Sequence, residues 1–156
     1  MRFWPRCADW GSIRRLSRQK SCDRIVINVK VVDASALGAL LFGEPAADTV
    51  AARLRGGRLV APALLGYELT SICLKKIRSN PEKHSHLLVG LATWDQMGIE
   101  IVAIDHLAVL PRAEHCGLTS HDASYLWLAQ RLSGELVTLD RPLGRAAAAL
   151  GLGPLP

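Results

Sequence analysis

Short apolar runs alternate with longer helical stretches from residue 25 onward, and this alternation constrains the fold more than any other feature of the chain. The runs lie at residues 26–32, 58–61, 99–104 and 135–139. Each is short and rich in branched apolar residues, as strands buried on both faces of a parallel sheet are. The predicted helices span residues 35–42, 46–55, 62–78, 81–97, 105–116, 121–132 and 142–150. This order predicts a three-layer α/β/α fold around a parallel sheet.

Proline and glycine residues mark the expected ends of several helices. Pro62 suits the first position of its helix, and Gly117 and Gly151 suit positions just beyond helix C-termini. Pro111 indicates a kink or break within the helix predicted at 105–116.

The formal net charge of +5 belongs to the start of the chain. Residues 1–24 carry seven basic and two acidic side chains, whereas residues 25–156 carry twelve of each. The first segment has no helical or strand period, so we expect a basic, flexible extension followed by one folded domain at 25–156. The extension is either an RNA-contacting arm or the product of an upstream translation start without function.

Composition excludes several classes of protein. A chain of 156 residues with 49% apolar side chains can bury one sizeable core. No apolar run reaches the roughly 18 residues that span a bilayer, and no continuous apolar secretion signal is present, so we expect a cytoplasmic protein with no membrane partner. The four cysteines form no CxxC pair and the histidines are scattered, which argues against a structural zinc site.

Two aspartates follow the first and last predicted strands. Asp33 ends the run 26–32, and Asp140 ends the run 135–139. In doubly wound sheets the ligand crevice lies beyond the carboxyl ends of the strands, where the strand order reverses. Both carboxylates would face one crevice if their strands are neighbours. An aspartate after a strand is also a favoured helix N-cap, and the sequence leaves both interpretations open.

Asp122 lies at the start of the helix predicted at 121–132. A helix that leads into a parallel strand begins at the edge where the strands end, so its first turn points toward the same crevice. Asp122 shares the packed face of the helix with Tyr125 and Leu126. The alternative is that Asp122 only helps to cap its own helix, because Thr119 and Asp122 have the spacing of a capping box.

Glu68 lies beside an apolar stripe that includes Leu65 and Ile72, near the middle of the helix predicted at 62–78. A glutamate in this position is neither a helix cap nor freely solvated, so it needs a partner. No basic residue on the stripe supplies one.

Carboxylates that converge on one crevice repel one another. Two unit charges about 4 Å apart repel by roughly 4 kcal/mol at an effective dielectric of about 20, so such a set must be protonated or neutralised by a cation. Oxygen ligands without histidine or cysteine select a hard ion, Mg²⁺ or Mn²⁺. If Asp33, Glu68, Asp122 and Asp140 converge on one crevice, such an ion would remove the conflict between their charges.

The other acidic residues fit ordinary roles. Asp105 follows a strand expected at the edge of the sheet, away from the reversal of strand order, and we expect it to cap a helix. Six others are expected to be solvated charges: Asp48, Glu82, Asp95, Glu100, Glu114 and Glu135.

Four motifs carry the acidic residues in a specific order: "VVDASAL" with Asp33, "YELTSICLKK" with Glu68, "GLTSHDASYLWLA" with Asp122 and "LVTLDRPLGRAA" with Asp140. Together they resemble the PIN domain, in particular the VapC-type toxins of bacterial toxin–antitoxin pairs, over about residues 29–150. The sequence departs from that pattern at His121, where an aromatic residue is more typical, and at the final "GLGPLP", where many relatives continue into another strand.

The resemblance implies a metal-dependent endoribonuclease with a PIN-like sheet of four or five parallel strands, ordered 3-2-1-4 or 3-2-1-4-5. It also implies a homodimer, an RNA substrate and a cognate antitoxin that silences the toxin of a type II pair by reaching into the crevice. In this hypothesis Asp33, Asp122 and Asp140 hold one or two Mg²⁺ or Mn²⁺ ions, and Glu68 ligates the ion or orients the attacking water.

RNA must approach an acidic crevice on a domain without net charge, so local basic groups would have to guide its phosphates. The candidates, each otherwise an ordinary solvated side chain, are Lys75, Lys76, Arg78, Arg141 and Arg145. Ser35 and Thr138 are candidates to hydrogen-bond the carboxylates or a metal-bound water, the alternative being helix capping and strand packing.

Two other functions compete with the nuclease. A catalytically silent PIN-like module that binds RNA or protein predicts a broken acidic set, whereas the set here is complete. A phosphoryl-transfer enzyme with Asp33 as nucleophile would need an Asp-x-Asp pair or a late strand-end lysine, and "DASAL" and "VTLDRP" provide neither.

Overall fold

The structure is a computed structural model that describes residues 28–153. The extension predicted at residues 1–24 and the first residues of the strand predicted at 26–32 lie outside this range. The elements in chain order are β1 (Val29–Val32), α1 (Ala34–Leu41), α2 (Ala47–Leu54), β2 (Arg58–Pro62), α3 (Leu65–Ser79), α4 (His84–Thr93), β3 (Glu100–Val102), α5 (His106–Cys116), α6 (Ser120–Leu132), β4 (Glu135–Val137) and α7 (Arg141–Ala149). Turns of 3₁₀ helix at Pro81–Lys83 and Trp94–Met97 flank α4.

The four strands form one parallel sheet in the order β3-β2-β1-β4. Val31 at the centre of β1 lies beside Val60 of β2 and Leu136 of β4. This arrangement confirms the predicted α/β class and the four-stranded order. The fifth strand that the resemblance allows is not among the elements of residues 28–153.

Helices cover both faces of the sheet because successive strand residues point to opposite sides. Val31 packs in a core cluster with buried side chains of α5, α6 and α7. Its neighbour Val32 packs in a second cluster with buried side chains of α1, α2 and α3. The alternation of apolar residues along β1 therefore supports two hydrophobic layers, which confirms the three-layer architecture.

Several helix boundaries differ from the prediction. Pro62 ends β2, where it lies beside Val102 of β3, and α3 begins only at Leu65. Proline lacks the backbone N–H that a strand interior uses for pairing, and at Pro62 this loss falls on the last residue of β2. Pro111 lies inside α5 without ending it, whereas Gly117 ends that helix with a φ of 61° as expected.

A partly buried ion-pair network joins β1 to β4. The Nζ of Lys30 donates to Oε2 of Glu135 at 2.9 Å, and the guanidinium of Arg53 on α2 donates to Oε1 at 2.8 Å. Burial favours the protonated carboxyl, yet the pKa of Glu135 is lowered because both cations hold its charged form. The expectation that Glu135 is a solvated charge is therefore wrong. A partner that is distant in sequence but lies on the adjacent strand gives Glu135 a structural role.

We predict that Glu135→Gln lowers the free energy of unfolding by about 3 kcal/mol, because it leaves the buried Lys30, only 6% exposed, without its counter-charge. The matched control is Glu100→Gln, which breaks the exposed ion pair with Arg58 between β2 and β3 and should cost less than about 1 kcal/mol. Urea denaturation of the two variants measures both values. Equal losses would contradict a special role for the buried pair.

Candidate functional site

One crevice at the carboxyl end of the sheet contains all four acidic residues singled out from the sequence. It has a volume of about 550 Å³, and Asp33, Glu68, Asp122 and Asp140 all line it. The four residues come from four elements: the end of β1, the first turns of α3 and α6, and the N-cap of α7. The fold thus brings together side chains that are far apart in the chain.

Asp33 is the most buried of the four, with 5% of its surface exposed. Its Oδ2 accepts hydrogen bonds from the hydroxyl of Ser35 and, at 2.7 Å, from Oγ1 of Thr138. The backbone N–H of Ser35 donates to the same oxygen at 3.3 Å, so the carboxylate also caps α1. Burial raises the pKa of Asp33, and these hydrogen bonds only partly oppose the increase. The buried carboxylate is therefore costly to keep charged.

The same two hydroxyls connect Asp33 to the loop that carries Asp140. Oγ of Ser35 accepts from the N–H of Leu139 at 3.0 Å, and Oγ1 of Thr138 accepts from the N–H of Asp140 at 3.0 Å. Ser35 and Thr138 therefore do hydrogen-bond a carboxylate of the crevice. They fix the end of β1 relative to the segment that follows β4.

Asp140 and Asp122 both line the crevice and take part in helix capping. Oδ1 of Asp140 accepts from the N–H of Leu143 at 2.8 Å and caps α7. Thr119 caps α6 by accepting from the N–H of Asp122, and its hydroxyl donates to Oδ2 of Asp122 at 2.7 Å. The sequence left both capping and a place in the crevice open for these aspartates, and in the structure each lines the crevice while it also takes part in the hydrogen bonds of a helix start.

Glu68 lies in the first turn of α3, not near its middle as predicted, because the helix begins three residues later. The hydroxyl of Tyr125 on α6 donates to Oε2 of Glu68 at 2.6 Å, and Nδ1 of His121 lies 3.7 Å from Oε1. The pKa of Glu68 is raised by burial first and also by the negative charges of Asp33 and Asp122. Glu68 therefore lies within the electrostatic reach of two other carboxylates.

Tyr125 is the residue of the site that sequence analysis missed. It is fully buried, and burial together with the neighbouring Glu68 raises the pKa of its hydroxyl. A buried tyrosine hydroxyl usually finds a hydrogen-bond partner. The position of Tyr125 three residues after Asp122, on the packed face of the helix, was the signal that could have identified it as the partner of Glu68.

The donor chemistry of the crevice fits a hard divalent cation. Its four carboxylates are oxygen donors that Mg²⁺ and Mn²⁺ prefer, and no cysteine lines it. Within residues 28–153, no three His, Cys, Asp or Glu side chains lie close enough together to hold an ion directly. Mg²⁺ usually retains several water ligands, so these carboxylates suit an ion held partly through water.

The structure divides the basic residues proposed to guide phosphates into separate groups. Lys75 lines the crevice itself. Lys76 forms an ion pair with Glu44, so its charge is already compensated by a carboxylate. Arg141 and Arg145 line an adjacent groove. Asp105 caps α5 through the N–H groups of the first helical turn, as expected, and is not among the residues that line the crevice.

A family model described as "PIN domain" matches residues 30–149. Solved structures that match include the crystal structure of PAE2754 from Pyrobaculum aerophilum, with a TM-score of 0.63 and 27% sequence identity; the match covers 79% of this chain and 87% of that one. No curated protein matches significantly. Between residues 28 and 153, none of the helices has the length and apolar character to cross a membrane.

We predict that Asp33→Asn stabilises the metal-free protein at pH 7, because it removes a charge that burial disfavours. A raised pKa means that the folded state binds the proton more tightly than the unfolded chain, so wild-type stability falls as pH rises from about 4, near the ordinary aspartate pKa, through the folded-state pKa. The gain in stability of Asp33→Asn over the wild type should therefore grow across that pH interval. Thermal unfolding in EDTA measures it.

The matched control for this prediction is Asp48→Asn, which changes an exposed aspartate in the first turn of α2. Its stability relative to the wild type should show no comparable increase as pH rises. A lower melting temperature for Asp33→Asn than for the wild type at every pH would contradict the prediction.

Proposed function

This chain belongs to the PIN-domain family, whose fold is generally that of a nuclease, and we propose that it is an endoribonuclease that depends on Mg²⁺ or Mn²⁺. The observation that carries the proposal is the crevice lined by four carboxylates from separate elements. A group of this kind is unfavourable without a compensating charge, and metal-assisted hydrolysis of phosphodiesters uses such oxygen ligands.

In this proposal Asp33, Asp122 and Asp140 hold the ion, directly or through water, and Glu68 ligates it or orients the attacking water. When bound, a divalent cation would supply a more acidic water and would offset negative charge on the scissile phosphate. Tyr125 holds one oxygen of Glu68 through its 2.6 Å hydrogen bond, which fixes the orientation of that carboxylate. Ser35 and Thr138 do the same for Asp33.

We further propose that the protein is the toxin of a type II toxin–antitoxin pair and acts in the cytoplasm. The proposal is supported by the four motifs that resemble VapC-type toxins, and it implies an antitoxin that covers the crevice. A homodimer is part of the same proposal. In its support, exposed apolar side chains lie on α3 and α4, two helices that pack together: Tyr67, Leu74, Leu88 and Val89.

Cleavage of RNA tests the enzymatic proposal. We expect purified protein to cut total cellular RNA with Mn²⁺ or Mg²⁺, to lose this activity in EDTA, and to lose at least about 100-fold in rate on Asp122→Asn, because one of the charges that hold the ion is removed. Mn²⁺ should also raise the melting temperature of the wild type, since it binds only the folded site.

The matched control is Asp105→Asn, which also changes an aspartate at a helix N-terminus but leaves the crevice intact. It should retain both the cleavage rate and the Mn²⁺-dependent shift. Cleavage that survives EDTA and Asp122→Asn alike would point to a contaminating nuclease and refute the assignment. A Mn²⁺ shift without cleavage would favour the catalytically silent module.

Expression in a bacterial host tests the toxin proposal separately. We expect wild-type protein to arrest growth, Asp122→Asn to leave growth unaffected at equal protein levels, and a small open reading frame beside the gene to relieve the arrest. Unimpaired growth with active wild-type enzyme present would contradict a toxin role without contradicting the nuclease.

A further inference from the structure

A second depression lies beside the crevice and has the opposite charge character. This groove has a volume of about 340 Å³, and its lining includes Arg53, Arg141 and Arg145. Asp140 lines both the groove and the crevice. A strand of nucleic acid that leaves the crevice past Asp140 would therefore enter the groove directly.

The arginines of the groove differ in what they contact. Arg53 is committed to Glu135 and to the carbonyl oxygen of Leu136. Arg141 and Arg145 are exposed and stand four residues apart on α7, so they lie on one face of the helix. Neither forms an ion pair within residues 28–153. Two guanidinium groups without a carboxylate partner are thus available on the groove side of the helix.

We propose that this groove binds a phosphate of the RNA strand adjacent to the phosphate held in the crevice, with Arg141 and Arg145 as its ligands. The inference rests on the proposed endoribonuclease function and adds a substrate-binding subsite to it. Guanidinium groups suit this task because their planar array of donors matches phosphate oxygens.

Electrostatics explains why a neighbouring subsite is needed. The crevice carries four carboxylates against the single lysine Lys75 and the histidine His121, so on its own it repels a polyanion. Residues 25–156 have no net charge and provide no long-range attraction. Within residues 25–156, attraction therefore has to come from local clusters of positive charge, and the groove supplies one next to the proposed cleavage site.

Binding of a labelled RNA tests the proposal. The probe is a fluorescein-labelled single-stranded 12-nucleotide oligouridylate, measured by anisotropy with Asp33→Asn protein so that no cleavage occurs. We expect Arg141→Gln/Arg145→Gln to weaken binding on the order of tenfold at 0.1 M salt. The plot of log K against log salt should become less steep by about 0.7, because the variant loses one phosphate contact and each single-strand phosphate contact contributes about 0.7.

The matched control removes two positive charges elsewhere. Arg55 and Lys83 are exposed and line neither the groove nor the crevice. Arg55→Gln/Lys83→Gln should leave affinity and slope close to those of the parent. Equal losses in the two double variants would show a general effect of net charge and overturn the subsite, as would unchanged binding after the Arg141 and Arg145 substitutions.

Gly144 offers a second test that leaves both arginines in place. It lines the groove, and a Cβ at this position would meet only Thr138, at 3.8 Å, which is an ordinary contact. Gly144→Glu should weaken binding of the same probe because it adds a negative charge to the groove, whereas Gly144→Gln has the same size without the charge. Equal affinities for these two variants would contradict phosphate binding in the groove.

Substrate length separates this inference from the proposed function. With active protein and Mn²⁺, Arg141→Gln/Arg145→Gln should raise KM for the 12-nucleotide RNA about tenfold and leave kcat unchanged, and it should not affect a dinucleotide that ends before the groove. Equal losses on both substrates would overturn the subsite. If wild-type protein cuts neither RNA, the nuclease proposal fails, while the binding measurements still decide the groove.

Discussion

The carboxylate of Asp33 is buried where β1 ends, and the arrangement of the crevice depends on keeping it there. Burial raises its pKa, and the Ser35 and Thr138 hydroxyls that contact it offset only part of that increase. The ionised form of Glu68 is also disfavoured, because burial and neighbouring negative charge raise its pKa. Two carboxyls of one crevice are thus held in surroundings that disfavour their ionised forms. A divalent cation is the simplest compensation that leaves all of these groups ionised.

The interactions that define the crevice are also those that start the surrounding helices. Asp33 caps α1, Asp140 caps α7, and Asp122 shares hydrogen bonds with the Thr119 cap of α6. Tyr125 then connects α6 to α3 through Glu68. Because caps fix the entry of each helix relative to the sheet, the carboxylates have little freedom to separate. Local helix geometry and the position of the site are therefore produced by the same few contacts, and substitutions in the crevice will alter stability as well as activity.

Much of this arrangement could be predicted from local pattern. The four strands, their parallel direction and the position of Asp33 and Asp140 at one edge follow from apolar runs that end in aspartate and from the rule that parallel strands end at one edge. The strand order that makes β1 and β4 neighbours was expected only from the resemblance to the PIN domain. The contacts that were missed join residues far apart in the chain: Tyr125 with Glu68, 57 positions away, and Lys30 with Glu135, 105 positions away. Helical or strand periodicity shows that a charged side chain faces the interior but not which distant group will meet it. Pro62 illustrates the same limit, since local pattern did not show that this residue would pair with Val102 of β3 at the end of a strand and not begin α3.

Binding of a divalent cation in the crevice can be tested by diffraction from crystals soaked in Mn²⁺, with data collected at the manganese absorption edge. We expect an anomalous peak between Asp33, Glu68, Asp122 and Asp140, and we expect no such peak in Asp33→Asn crystals treated in the same way. A wild-type crevice without a peak, while Mn²⁺ occupies another surface of the molecule, would refute the proposed metal site.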